Sequence, residues 1–192
     1  LSSSTLTFTA ANWDTAQTIT ITGVDDDLDD GDITTTLTAT ASNTGGYAGT
    51  ETASTTVKNT DDDTPGITIA QTGTTSGSDL LTTEAGASST FTVVLDAEPT
   101  ADVTVSITGN DATEGSLSSS TLTFTTANWD TAQTITVTGV DDDLDDGDIT
   151  TTLTATASNT GGYAGTETAS TTVKNTDDDA TGITIAQTGT TS

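Results

Sequence analysis

Residues 121–139 read TLTFTTANWDTAQTITVTG. Leu122 and Phe124 alternate with threonines, the pattern breaks at Ala127-Asn128-Trp129-Asp130, and Ile135 and Val137 resume it. A side-chain period of two with β-branched partners marks strands that bury one face and wet the other. The same alternation recurs on either side. Upstream it runs through Ile67 and Ile69, then Phe91, Val93 and Leu95, then Val103, Val105 and Ile107. Downstream it runs through Ile149, Leu153, Ala155 and Ala157, then Thr171 and Val173. Turn-rich connectors such as DAEPTA, TGNDATEGS and SNTGGYAGT separate the runs. No segment carries apolar residues at the 3.6-residue spacing of a helix.

Seven such segments without helices predict an all-β fold, an immunoglobulin-like antiparallel β-sandwich of seven strands. A parallel β-helix would need a much shorter internal period. A period does exist, but a long one. Residues 1–76 recur as residues 117–192, with differences only at Ala10/Thr126, Ile21/Val137, Thr64/Ala180 and Pro65/Thr181, while residues 77–116 occur once. A unit of 116 residues is a domain rather than a solenoid turn, so tandem sandwiches are expected. The complete domain is expected over 66–179, the last four strands of a preceding one over 1–63, and the first strand of a following one over 182–192. The chain is then either an excerpt of a long periodic polymer or takes its missing strands from an identical subunit.

Composition excludes several functions. The 192 residues hold 29 acidic side chains, two lysines and no arginine, histidine or cysteine, for a net charge of −27. Zinc fingers, haem ligation, iron–sulfur clusters and His- or Cys-based catalysis are therefore excluded, as is binding to nucleic-acid phosphates. No apolar run is long enough for a membrane-spanning helix. High acidity with few aromatics is also a composition of disordered chains, but here the acids sit in blocks with alternating apolar residues between them. Threonine fills 55 positions. A flat hydroxyl face such as ice binding requires is a weaker reading than the solvent side of strands, where threonine is favoured. Trp129 is expected to be a core or corner aromatic. An isopeptide between Lys174 and Asn175 is disfavoured because adjacent strand residues point to opposite faces.

The acids fall in two kinds of block, each present twice. GVDDDLDDGD supplies Asp25, Asp26, Asp27, Asp29, Asp30 and Asp32, and again Asp141, Asp142, Asp143, Asp145, Asp146 and Asp148. NTDDD supplies Asp61, Asp62 and Asp63, and again Asp177, Asp178 and Asp179. In the expected sandwich both blocks of the complete domain lie at one pole, where the loop carrying Asp111 and Glu114 also opens and which Glu84 can reach. Two unit charges 4 Å apart repel by about 1 kcal/mol in water and about four times that near a protein surface. A hard divalent cation with six to eight oxygen ligands is the natural counter-charge, and calcium accepts flexible carboxylate cages better than magnesium. An EF-hand loop beginning at Asp142 fails, because its third and twelfth positions are Leu144 and Leu153. The GGYAG at 161–165 does not repeat as a calcium-binding nonapeptide would.

Several motifs together resemble a Calx-beta domain: TEAG at 83–86, FTVVLDAEPT at 91–100, the stretch 121–143 and NTDDD at 175–179. The resemblance covers the whole repeat and is greatest to tandem arrays in large bacterial surface and secreted proteins. It implies Ca2+ ligands at Glu84, Asp111, Asp141, Asp142, Asp143, Asp145 or Asp146, and Asp177, Asp178 and Asp179. In the partial copy it implies Asp25, Asp26, Asp27, Asp29, Asp30, Asp61, Asp62 and Asp63. The expected function is a non-enzymatic, calcium-stabilised structural repeat in the stalk or fibre of an extracellular bacterial surface protein. Its partners would be neighbouring repeats of the same chain or identical subunits. The alternative is a calcium-dependent adhesin module whose loops grip a glycan or protein ligand.

Overall fold

The computed structural model describes residues 1–189, all in strands, turns and loops, with no helix among them. The chain divides into two compact units, Leu1–Asp62 and Asp63 onward. In the first unit, β1 (Ile33–Thr40) and β2 (Thr52–Asn59) form an antiparallel pair. The second unit holds β3 (Ile67–Gln71), β4 (Thr75–Ser76), β5 (Asp79–Thr83), β6 (Ser88–Leu95) and β7 (Val103–Thr108). Then follow β8 (Gly115–Leu117), β9 (Thr121–Phe124), β10 (Gln133–Gly139), β11 (Ile149–Ala157) and β12 (Thr168–Thr176).

The second unit is a β-sandwich. One sheet has the order β3-β6-β10-β8 and the other β4-β5-β12-β11-β7-β9. Every pairing is antiparallel except β5 with β12, which is parallel. The period-two reading holds residue by residue. Phe91, Val93 and Leu95 of β6, Val103, Val105 and Ile107 of β7, and Ile135 and Val137 of β10 all face one core. Leu122, Phe124, Leu153, Ala155 and Val173 close it from the other strands, and Trp129 packs on its edge. All seven segments read as strands lie in strands. The sequence reading omitted β4, β5 and β8. In β5, Leu80 and Thr82 point inward, but a leucine-leucine-threonine-threonine run shows no apolar alternation.

The first unit departs from the expectation of four strands. Residues 5–8 and 17–23 are not strands, although their counterparts form β9 and β10. Local contacts are the same in both copies. Gln17 Nε2 donates to the carbonyl of Thr7 at 2.9 Å, as Gln133 does to Thr123, and Thr9 N donates to Asn12 Oδ1 as Thr125 N does to Asn128. What differs is the ladder. β9 pairs with β7, and β10 pairs with β6 and β8. Those partners come almost entirely from residues 77–116, which occur once. The strand expected within 182–192 is likewise absent over 182–189, where Ile183 is 94% exposed. Its counterpart β3 is a strand because it pairs with β6, which has no second copy. Residues 190–192 of that expectation lie outside the described residues.

Candidate metal centre

Parallel pairing of β5 with β12 decides where the carboxylates go. The register ends on Thr83 opposite Thr176, so the next residues of both strands leave at the same end. Glu84 N donates to the carbonyl of Thr176 at 3.1 Å, and Asp178 N donates to Glu84 Oε2 at 3.2 Å. Glu84 is thereby held 3% exposed beneath Asp177, Asp178 and Asp179. β10 ends at the same place. Gly139 N donates to the carbonyl of Ala87, and Val140 N to that of Glu114, both at 3.1 Å. The acidic loop 141–148 therefore opens over the pole, and Gly147 N donates to Asp177 Oδ2 at 2.7 Å.

Three groups of carboxylates result, each with oxygens within 4.8 Å of one another: Glu84 with Asp177 and Asp179, Glu84 with Asp141 and Asp178, and Glu114 with Asp142 and Asp146. Burial raises the Glu84 carboxyl above its ordinary value, and Asp177, Asp142 and Asp178 add to this against the Asp178 N–H. Asp179 is raised by burial and by Asp143, Asp177, Asp178 and Asp141. Its Oδ2 is buried without a hydrogen-bond partner among the described residues. A carboxylate oxygen left so costs free energy unless something electropositive meets it. The donor set is all oxygen and fits a hard divalent cation.

Asp111, Asp143 and Asp145 enter none of these groups among the described residues. Asp111 turns onto Thr113, accepting from Oγ1 at 2.7 Å and N at 3.0 Å, and these bonds hold its carboxyl low. Asp145 Oδ2 accepts from Thr181 N at 2.9 Å, tying the chain beyond the pole to the acidic loop. Asp148 pairs with Lys174 at 2.5 Å. Glu114, 8% exposed, joins a group though the implied ligand set omitted it; its signal was its place in the Asp111 loop.

In the first copy, Asp25, Asp26, Asp27, Asp29, Asp30, Asp61, Asp62 and Asp63 enter no three-carboxylate group among the described residues. The local bonds nevertheless form: Gly31 N donates to Asp61 Oδ2 at 2.6 Å and Leu28 N to Asp26 Oδ1 at 3.1 Å. The two buried glutamates, Glu84 and Glu114, lie in the stretch 77–116, which the sequence given contains once, so the second copy alone is described together with them.

No family model matches the chain, and no curated protein matches it. Among solved structures, the crystal structure of the E. coli chaperone DraB is similar at a TM-score of 0.39 and 6% identity, over 60% of this chain and 58% of that one. The chain thus spans less than two thirds of that chaperone's length.

Proposed function

We propose that this chain is a calcium-stabilised structural repeat of the Calx-beta kind its motifs resemble, built as tandem immunoglobulin-like sandwiches. It serves as stalk or fibre in an extracellular bacterial surface protein, joined to neighbouring repeats or identical subunits. The observation that supports this most is that Glu84 shares one carboxylate group with Asp177 and Asp179 and another with Asp141 and Asp178, while Oδ2 of Asp179 is buried without a hydrogen-bond partner among the described residues. Glu84 belongs to the body of the sandwich, Asp141 to the loop after β10, and Asp177 to Asp179 to the segment leaving β12. Calcium shared among them would fasten that segment to the body and fix the direction in which the chain continues. The Asp145–Thr181 bond already guides the same segment.

Extracellular sites of this type have dissociation constants of about 0.1–1 mM. Tenfold excess of ion over one such constant stabilises by about 1.4 kcal/mol. The test is thermal melting and calorimetric titration of the chain with calcium, magnesium and chelator. Calcium is expected to raise the melting temperature more than magnesium at equal concentration, and high salt alone to recover only part of the difference. A melting temperature unchanged by chelator would falsify the reading.

A further inference from the structure

The geometry points to the Asp146–Gly147 peptide as a modification site, where aspartate rearranges to isoaspartate, with Asp177 as the positioning residue that restrains the reaction. Aspartate followed by glycine occurs twice in the sequence, at 30–31 and 146–147. The rearrangement begins when the main-chain nitrogen of the following residue attacks the aspartate Cγ. A side chain on that residue obstructs the approach, and glycine has none. The other aspartates of the two blocks in the second copy are followed by Asp, Leu, Ile or Ala. Asp146 is exposed, Gly147 has a φ of +81°, and a Cβ on Gly147 would meet nothing within 4 Å. A five-membered ring therefore has room to close here.

In the first step Gly147 N bonds to Asp146 Cγ, and one carboxyl oxygen leaves as water with the amide proton and the carboxyl proton. In the second, water adds to the ring. Opening at Cγ restores aspartate, whereas opening at the main-chain carbonyl carbon of Asp146 leaves the chain running through Cβ and Cγ. The water lost in the first step is regained in the second, and no oxidant, reductant or cofactor takes part. The product has a main chain one methylene longer and a carboxylate one methylene shorter. Asp146 then loses its place beside Glu114 and Asp142.

The restraint acts on the attacking atom. Gly147 N donates to Asp177 Oδ2 at 2.7 Å. The other oxygen of Asp177 accepts from Asp179 N at 2.8 Å, and Asp177 N donates to Asp148 Oδ1 at 3.3 Å. Asp148 in turn pairs with Lys174 of β12. An amide proton held by so fixed a carboxylate must be released before the nitrogen can turn onto Cγ. The first copy carries the same restraint, with Gly31 N donating to Asp61 Oδ2 at 2.6 Å. A substitution at Asp177 leaves that bond untouched, so Asp30 is a reference within the same molecule.

The test incubates the full 192-residue chain in warm neutral buffer with chelator, so that its outcome does not depend on the calcium reading. Isoaspartate is located by electron-transfer fragmentation of peptic peptides, and fragments that include Ile21 or Val137 assign the copy. A free peptide with the sequence of residues 137–149 gives the unrestrained rate. The parent is expected to isomerise at Asp146 about tenfold or more slowly than the peptide, the effect of one hydrogen bond to a charged group. Asp177→Ala should bring Asp146 close to the peptide's rate and leave Asp30 at the parental rate. Asp177→Asn keeps an oxygen acceptor and should stay near the parent. Asp145→Ala removes the loop's bond to Thr181 but not the bond to Gly147, and should also stay near the parent. Hydrogen exchange of the Gly147 amide in the parent checks the restraint without any substitution. Exchange there as fast as in the peptide overturns the proposal, as does Asp146 reacting as fast in the parent as in the peptide. So does equal acceleration by Asp145→Ala and Asp177→Ala, which would make general loosening of the loop the cause.

Discussion

Asn175 donates its Nδ2 to Glu114 Oε2 at 3.3 Å and to the carbonyl of Val140 at 3.2 Å, and its Oδ1 accepts from Thr82 Oγ1 at 3.0 Å. One buried amide thus joins β12, β5, the end of β10 and the turn before β8 directly beneath the carboxylates. Asn175→Ala takes a partner from three polar groups, two of them buried, and is expected to cost about 1–3 kcal/mol. Asn59, its counterpart, is exposed and donates its Nδ2 to the carbonyl of Val24 at 3.0 Å. Asn59→Ala should cost less than about 0.5 kcal/mol. Chemical denaturation of both variants measures the difference, and equal losses would refute the role assigned to Asn175.

If the pole binds calcium as proposed, Glu84 sets a pH dependence whose sign depends on the ion. Without the ion its folded carboxyl lies above the ordinary 4.5 because of burial and neighbouring aspartates. The folded state then binds a proton more tightly than the unfolded one, so this group's contribution is present at low pH. It is lost as pH rises through the folded value. With calcium bound, protons compete with the ion and the dependence reverses. Glu84→Gln keeps the shape and removes the charge. Melted in chelator at pH 7, that variant should be more stable than the parent, yet it should gain less from added calcium. A variant less stable than the parent in chelator would show that the negative charge is not the source of strain.

Tyr163 supplies a comparison between copies that does not involve the ion. Its hydroxyl donates to the carbonyl of Ala97 at 2.9 Å and accepts from Ala97 N at 3.3 Å, and burial raises the phenol. Tyr163→Phe leaves that backbone pair without its partner and should lower stability by about 1–3 kcal/mol. Tyr47→Phe, at an exposed ring, should change it by less than about 0.5 kcal/mol. Equal effects in a calorimetric melt would mean that the two tyrosines share one environment.

What was legible in the sequence follows from which forces are local. Alternation exposed β6, β7 and β10 because each buries one face of one core. β5 escaped notice because half of its inward face is Thr82, bonded to Asn175 rather than packed as a hydrocarbon. The acidic pole was legible as two Asp runs at one end of a sandwich. Glu84 and Asp178 meet through the parallel β5–β12 pairing, which no single segment encodes. The strands expected at 5–8 and 17–23 fail for a related reason. Their sequence is nearly that of β9 and β10, but a strand needs its neighbour's backbone. Identical turns and different ladders in the two copies separate what a segment specifies alone from what its partners specify.

Gly139 tests how closely the pole is built. A Cβ there would lie 2.1 Å from the carbonyl oxygen of Thr83 and 2.5 Å from Asn175 Oδ1. The obstacle at Thr83 is backbone, at the end of β5 and one residue before Glu84, so β10 and β5 must separate to admit a methyl group. Overpacking of this sort costs about 1–3 kcal/mol. It would also move Glu84 relative to Asp141 and the loop after β10, so Gly139→Ala is expected to weaken the proposed calcium binding as well as stability. Gly23 occupies the same place in the first copy, where the only close atoms belong to the side chain of Asn59. That side chain is exposed and can turn aside at the loss of one solvent-exposed bond to Val24, so Gly23→Ala should stay within about 0.5 kcal/mol of the parent. Both variants are measured by denaturation in chelator and by calcium titration. Gly139→Ala with parental stability and parental response to calcium would mean that Gly139 does not press on the backbone at the end of β5, and the positioning of Glu84 described above would fail with it.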